Sequence, residues 1–129
     1  RIEDALEAVK SAQEEGIVSG GATVLIRATR NLDVELENED QRIGKNIILE
    51  AVLAPIKQMA KNSGESSDII ADLVKNCDSG LGYDFRDGEL VNMIESGIID
   101  PAKVARCALQ NAASAATTLI TTNYAIIEV

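Results

Sequence analysis

Apolar side chains recur every three or four positions along most of this chain, and that spacing is typical of helices with one buried face. The first such stretch is residues 1–15, which carries charged side chains on its other faces and ends at Gly16. Further helices are predicted over residues 43–62, 68–76 and 102–118. Because Pro55 lies inside residues 43–62, it is expected to kink or divide that helix.

Polar residues and a proline indicate where several helices begin. The composition of residues 22–29 fits a helix or a strand, and we interpret it as a helix because Ser19 or Gly20 can act as its N-cap. Ser67 can cap the helix that starts at residue 68. Asp100 followed by Pro101 is typical of an N-cap and a first helical residue.

Four stretches of the chain have other patterns. Residues 31–41 are strongly acidic and predict a solvated loop. Residues 77–88 contain several glycines around Leu81, Tyr83 and Phe85, which favours a short β-hairpin. Residues 90–96 predict a turn of helix. Residues 121–129 are rich in β-branched side chains and predict a strand that needs a partner.

The core of this chain must be aliphatic. Hydrophobic residues make up 46% of the sequence, yet it has one Phe, two Tyr, no Trp and no His. It therefore lacks the aromatic side chains that stack on nucleic-acid bases. It also lacks the imidazoles used by most catalytic zinc sites and acyl-transfer triads.

Length, charge and cysteine content indicate the number of domains, the kinds of partner and the cellular compartment. A chain of 129 residues is most simply one domain, and its formal charge of −9 disfavours nucleic acid and anionic bilayers as partners. Cys77 and Cys107 form neither a disulfide framework nor a zinc motif, so a reducing compartment is expected. No stretch resembles a membrane span or a signal peptide, and the start at Arg1 suggests a piece of a longer polypeptide.

A pair of glycines and three aspartates are candidate functional residues. The backbone amides of Gly20 and Gly21 can approach an anion closely, although a turn with unusual dihedral angles would also need glycines here. Asp4 is either a functional carboxylate or a solvated residue in the first turn of its helix. Asp100 and Asp84 are likewise either functional carboxylates or, more simply, a helix cap and a turn residue. Tyr83 and Phe85, by the same reasoning, cover a small core.

The order of short motifs resembles the carboxyl-terminal part of a group I chaperonin, the GroEL type. The matching segments are RIEDAL (1–6), EGIVSGG (15–21), LIR (25–27), EDQ (39–41), API (54–56), GYD (82–84), NMI (92–94), GIIDP (97–101) and AAS (112–114). Each segment alone is common, but the series in this order is specific and covers nearly the whole chain.

This resemblance implies a fold and a division into domains. The implied fold is a helical bundle, the second half of the chaperonin equatorial domain, with a short β-hairpin and a C-terminal strand. A helix of the intermediate domain would precede it. Residues 1–16 would be the end of the intermediate domain, and residues 17–129 the C-terminal half of the equatorial ATPase domain.

The resemblance also implies roles for particular residues. Asp4 would orient the water that attacks the γ-phosphate, carried on a helix that swings over bound nucleotide. Gly20 and Gly21 would contribute backbone to the nucleotide pocket, and Asp100 would accept hydrogen bonds from the ribose. The remaining residues implied, which would lie around the base, are Asp84, Phe85, Arg86 and Ile98.

Two segments depart from the family pattern. The third glycine of the family's turn is Ala22 here. Near the base, bacterial members often have Asn followed by two alanines, where this chain has Asp84, Phe85 and Arg86. The Asp84 carboxylate could still accept a hydrogen bond from the exocyclic amine of adenine.

The implied cofactors are ATP and Mg²⁺, with the metal ligand and the phosphate loop expected from an amino-terminal half that this sequence lacks. The implied partners are unfolded protein clients, a co-chaperonin and further copies of the subunit in a ring, in bacterial cytoplasm or an organellar matrix. ATP hydrolysis is expected from the full-length subunit and not from this piece alone. The alternative is a non-enzymatic helical interaction module that keeps the chaperonin architecture.

Overall fold

The computed structural model describes residues 1–123 and 126–128 and is mainly helical. Its helices are α1 (Ile2–Glu15), α2 (Thr23–Thr29), α3 (Glu39–Ala51), α4 (Ala54–Asn62), α5 (Ser67–Asn76) and α6 (Ala102–Thr121). Its strands are β1 (Ile17–Ser19), β2 (Leu81–Asp84), β3 (Glu89–Asn92) and β4 (Ile99–Pro101). No helix within this described part is both long enough and apolar enough to cross a membrane.

The chain divides into two compact units. Unit 1 consists of Arg1–Ile17 and Asp100–Val129, and unit 2 is Val18–Ile99. Two small sheets are present in the described residues: β1 pairs with β4, and β2 pairs with β3. The β2–β3 pair is antiparallel, with Leu81 opposite Asn92 and Tyr83 opposite Leu90.

Unit 1 is built on the packing of α1 against α6. The two helices have no fully buried residue. Large apolar side chains are exposed on both, with Ile2 80% and Ile120 81% accessible. The alanine-rich helix α6 is therefore not buried between other helices within this unit.

Unit 2 contains the core, and that core is aliphatic as the composition predicts. Its buried residues come from α2, α4, α5 and β2: Ile26, Ile56, Ala60, Ile70, Ala71, Val74 and Tyr83. Phe85 packs against this cluster, and its ring meets that of Tyr83 edge to face at 4.9 Å between centroids. This geometry confirms that both aromatic side chains help to cover a small core.

Most of the predicted helices are confirmed, and Pro55 acts as expected. The predicted helix over residues 43–62 is divided into α3 and α4, with Pro55 in the first turn of α4. A proline is tolerated there because the N–H it lacks would have had no partner within the helix. The hairpin predicted within residues 77–88 is also present as β2 and β3, although it extends to Asn92.

The helix starts were less accurately predicted. The N-cap position of α2 is occupied by Ala22 instead of Ser19 or Gly20. The N-cap position of α5 is occupied by Ser66 instead of Ser67. Asp100 lies in β4 and does not cap α6, whose N-cap position is held by Pro101. Pairing of Ile99–Pro101 with β1 takes these residues into a strand, which overrides their local preference for a helix start.

Three further predictions need correction. The acidic loop, predicted to extend to residue 41, ends at Asn38. The Asn38 side chain accepts a hydrogen bond from the Gln41 backbone N–H and so caps α3. The predicted turn of helix over residues 90–96 begins instead as β3. The predicted C-terminal strand is not seen: Thr121 ends α6, and residues 122–123 and 126–128 are not in a strand. Positions 124, 125 and 129 lie outside the described residues.

Truncation of Ile56 tests the aliphatic core. Ile56 is fully buried in α4, so we expect Ile56→Ala to lower the free energy of unfolding by about 2–5 kcal/mol through lost burial and a cavity. Ile69 on α5 is 62% exposed, and Ile69→Ala should cost less than about 1 kcal/mol. Urea unfolding measures both. Equal losses would contradict this location of the core.

Candidate functional site

The candidate nucleotide site begins at the turn between β1 and α2, formed by Gly20, Gly21 and Ala22. The Gly20 N–H donates to the Ile98 carbonyl at 2.8 Å, and the Gly20 carbonyl accepts from the Thr23 N–H at 3.2 Å. Gly21 and Ala22 both have left-handed backbone conformations, with φ of 62° and 61°. Alanine is strained there by about 1–2 kcal/mol relative to glycine. The turn therefore contains two consecutive left-handed residues, although the second of them is alanine.

Both glycines are explained by close packing within unit 2. A Cβ atom on Gly20 would lie 3.1 Å from the carbonyl carbon of Ile98, which is backbone and cannot move aside easily. A Cβ on Gly21 would lie 2.8 Å from the Met93 methyl carbon and 3.6 Å from the Tyr83 carbonyl oxygen. The structural reason for glycine is therefore present, whether or not a ligand also approaches.

The turn has two free backbone donors. Neither the Gly21 N–H nor the Ala22 N–H has an acceptor among residues 1–123 and 126–128. Both residues are half-buried and not enclosed. Consecutive unpaired N–H groups of this kind can bind an anion, because they present partial positive charge without a competing internal partner.

The loop of the β2–β3 hairpin carries three of the predicted base-contacting residues. Asp84 Oδ1 accepts hydrogen bonds from the backbone N–H groups of Arg86 at 2.9 Å and Asp87 at 3.4 Å. Asp84 is thus a turn residue, as the simpler interpretation predicts. Its other carboxylate oxygen makes no hydrogen bond within the described part of the chain. The Arg86 side chain is 90% exposed and lies near Asp87.

The structure brings some predicted site residues together in unit 2 and leaves others in unit 1. Gly20 and Gly21 contact Ile98 directly, and Gly21 also approaches the β2 strand that ends at Asp84. Asp4 is exposed in the first turn of α1, and Asp100 is exposed in β4. No group of three or more Asp, Glu, Cys or His side chains able to hold a metal occurs among the residues described.

Two residues that shape this region, Met93 and Arg27, were not predicted from the sequence. Met93 is fully buried beneath the glycine turn and lies close to Gly82 as well as Gly21. Arg27 on α2 donates to the Val74 carbonyl at 2.8 Å, to Cys77 Sγ at 2.9 Å and to the Leu81 carbonyl. A signal for Arg27 was present, since it is a charged residue within the apolar residues 22–29.

Tyr83 adds a titratable group beneath the hairpin. Burial raises the pKa of the Tyr83 hydroxyl, and the neighbouring Glu65 carboxylate raises it further. The hydroxyl donates to Glu65 Oε1 at 3.4 Å. Tyr83 therefore stays neutral and holds the hairpin against the connection between α4 and α5.

In unit 1, two ion pairs connect the end of α1 to the start of α6. Lys103 pairs with Glu14, and Arg106 donates two hydrogen bonds of 2.8 Å to the Glu15 carboxylate. Hydrogen bonding with Lys103 lowers the pKa of Glu14, and hydrogen bonding with Arg106 lowers that of Glu15. Each charge is unfavourable at its own helix end, and its partner compensates for this.

The family of the chain follows from its similarity to known proteins. A family model described as the TCP-1/cpn60 chaperonin family matches residues 1–129. The chain belongs to this chaperonin family. Among solved structures it is similar to a group III chaperonin in the open state, with 28% sequence identity and a TM-score of 0.71.

This chain corresponds to one part of the longer group III chaperonin. The match covers 90% of this chain and 25% of the group III chaperonin, so the chain spans about a quarter of that protein. The family and the mainly helical chaperonin fold are confirmed. The assignment to group I, the nucleotide contacts and the role of Asp4 stay predictions.

Substitution of Gly21 tests the packing of the turn in this chaperonin. Gly64 is a matched control, because it also has a positive φ of 76° but no atom within 4 Å of an added Cβ. We expect Gly64→Ala to cost about 1 kcal/mol from backbone strain alone. Gly21→Ala should cost at least about 1 kcal/mol more, because Met93 must move. Urea unfolding compares them, and equal costs would contradict the contact with Met93.

The ion pairs between α1 and α6 predict that the free energy of unfolding depends on pH. Because the pKa values of Glu14 and Glu15 are lowered in the folded chain, their contribution is present above about pH 4.3, the ordinary pKa of Glu. It is lost as the pH falls through the lowered pKa values. In urea unfolding, the wild type should therefore be more stable than the double variant Glu14→Gln/Glu15→Gln at pH 6. This difference in the free energy of unfolding should shrink as the pH is lowered to 3.

Glu3 and Glu7 provide the control for this titration. They lie on α1 and form no ion pair among the residues described. The difference between the wild type and Glu3→Gln/Glu7→Gln should change less over the same pH range. A Glu14→Gln/Glu15→Gln difference that stays constant with pH would show that the ion pairs do not stabilise unit 1.

Proposed function

We propose that this chain is the carboxyl-terminal part of an ATP-dependent protein-folding subunit of the group I chaperonin type. The ordered series of motifs from residues 1–6 to residues 112–114 supports the group I assignment. Residues 1–16 would end the intermediate domain, and residues 17–129 would form the second half of the equatorial domain. The complete subunit would form a homo-oligomeric ring that acts on unfolded clients with a co-chaperonin, in bacterial cytoplasm or an organellar matrix.

The main support for a role in nucleotide binding comes from the N–H groups of Gly21 and Ala22, which have no acceptor within the described residues. Phosphate oxygens are strong acceptors, and backbone N–H groups bind them without adding a charged side chain to the site. The contact with Ile98 and Met93 holds the turn in place before any ligand arrives. A donor pair that is already oriented loses less entropy when it binds.

The hairpin and Ile98 supply the side chains for the base. Ile98 is half-buried and presents apolar surface next to the turn, and Asp84 has a carboxylate oxygen free to accept from the adenine amine. Phe85 supports the hairpin from the side of the core, and exposed Arg86 lies at its tip. The exposed carboxylate of Asp100 would accept hydrogen bonds from the ribose hydroxyls.

Mg²⁺ and most of the phosphate contacts would come from the part of the subunit that this chain lacks. The chain has a net charge of −9, so it depends on a cation to hold a triphosphate. Bound Mg²⁺ would neutralise phosphate charge in the usual way for phosphoryl transfer. The unpaired N–H groups of the turn fit the remaining task of orienting phosphate oxygens.

Asp4 is the proposed hydrolytic residue. Its carboxylate is exposed and accepts no hydrogen bond within the described residues, so it is available to orient a water molecule. Positioning of the attacking water is the main task that a protein side chain performs in phosphoryl transfer. A carboxylate suits this task because it accepts a proton or hydrogen bond from water.

Replacement of Asp4 in the full-length subunit tests this proposal. We expect Asp4→Ala to leave the ATP dissociation constant within about threefold of the wild type and to lower kcat by about 10²–10⁴-fold. Glu3 is the control, because it is an acidic residue in the same first turn of α1. Glu3→Ala should retain nearly full turnover in a phosphate-release assay.

Other outcomes distinguish the proposed hydrolytic role from the non-enzymatic alternative. Unchanged turnover in Asp4→Ala would reject the catalytic role. Failure of the wild-type subunit to bind ATP would favour the alternative, a non-enzymatic helical module with chaperonin architecture. Loss of ATP binding in both variants would indicate damage to the fold of α1 and would contradict a specific role for Asp4.

A further inference from the structure

Arg27 connects α2 to the segment that leads into the hairpin. Its guanidinium donates to the carbonyl oxygens of Val74 and Leu81, at 2.8 Å for the former, and to Cys77 Sγ at 2.9 Å. A weaker contact of 3.4 Å reaches the Asp78 carbonyl. These acceptors span the last turn of α5, the connection that follows it and the first residue of β2.

The neighbouring Arg30 makes a narrower set of contacts. It lies one turn further along α2 and donates to the Val74 carbonyl at 3.3 Å and the Lys75 carbonyl at 2.7 Å. Both acceptors belong to the end of α5, where a cation is favoured by the helix dipole. Arg30 therefore holds α2 to α5, whereas Arg27 also reaches β2.

As a result, α2 contacts the hairpin at two separate points. Near its start, the Thr23 hydroxyl lies against Gly82 of β2, where an added Cβ would come within 2.7 Å of it. Near its end, Arg27 binds the carbonyl of Leu81, three residues before Asp84 on the same strand. Two points of attachment on a short strand fix both its position and its direction relative to the turn.

We propose that Arg27 is a positioning residue for the nucleotide, because it sets the position of Asp84 relative to the turn at Gly21. This inference depends on the function proposed above, in which the turn binds phosphate and Asp84 meets the adenine amine. Arg27 itself touches neither. Its planar guanidinium donates to several acceptors in a fixed geometry, which a lysine ammonium reproduces only in part.

The proposal predicts a change in base selectivity as well as in affinity. Asp84 accepts from the amine of adenine, whereas guanine presents a carbonyl oxygen at the same position and repels the carboxylate. If β2 shifts relative to the turn, the phosphates still bind but this discrimination weakens. A merely structural role for Arg27 would lower stability without changing the ratio of ATP to GTP affinity.

The experiment is calorimetric titration of the full-length subunit with ATP and with GTP. We expect Arg27→Gln to weaken ATP binding by about tenfold and to lower the ATP preference over GTP by a similar factor, which corresponds to one good hydrogen bond. Arg27→Lys should lie between this variant and the wild type. Arg30→Gln is the matched control and should change ATP affinity and the ATP preference by less than about twofold.

Each outcome either supports or contradicts the positioning role proposed for Arg27. Wild-type ATP affinity and ATP preference in Arg27→Gln would overturn the proposal, and so would an equal loss of preference in Arg30→Gln. If Arg27→Gln does not fold, as judged by circular dichroism, Arg27→Lys carries the test, and an unchanged ATP preference there would count against it. A wild-type subunit that binds no ATP would reject the proposed function itself, and the inference with it.

Discussion

Unit 2 depends on the close contact between the Gly20–Ala22 turn and the segment that contains Met93 and Ile98. The Gly20 N–H binds the Ile98 carbonyl, and the Cα atoms of both glycines lie where no larger residue fits without displacement. This contact fixes where α2 begins, and α2 in turn supplies Ile26 to the core. The geometry of the candidate site is thus a by-product of packing that the fold already requires.

Ala22 shows that this packing dominates local preference. An alanine with a left-handed backbone is unfavourable, yet it occupies the N-cap position of α2. Its methyl group packs against the buried cluster, which offsets part of the strain. The core and the turn are therefore energetically linked through one residue.

The helices were predictable from sequence because their apolar spacing and their breaks, such as Pro55, are local signals. The hairpin was also predictable from its glycines. The cap of α2 and the strand at Asp100 were not, because a backbone bond to Ile98 and pairing with β1 come from residues distant in sequence. The importance of Arg27 was hidden for the same reason, since its acceptors lie 47–54 positions away. The glycines and aspartates were found as candidates beside simpler structural alternatives, and the family resemblance added their particular roles.

The uncovered apolar side chains of unit 1 have a consequence for the chain outside its parent assembly. Ile2, Leu6 and Val9 are each more than half exposed on α1, and Leu119 and Ile120 are each more than three-quarters exposed at the end of α6. Exposed apolar side chains on helices are what cellular quality-control factors bind in incompletely folded polypeptides. If this chain were released from a longer protein by proteolysis, its exposed apolar side chains would make it a target of these factors.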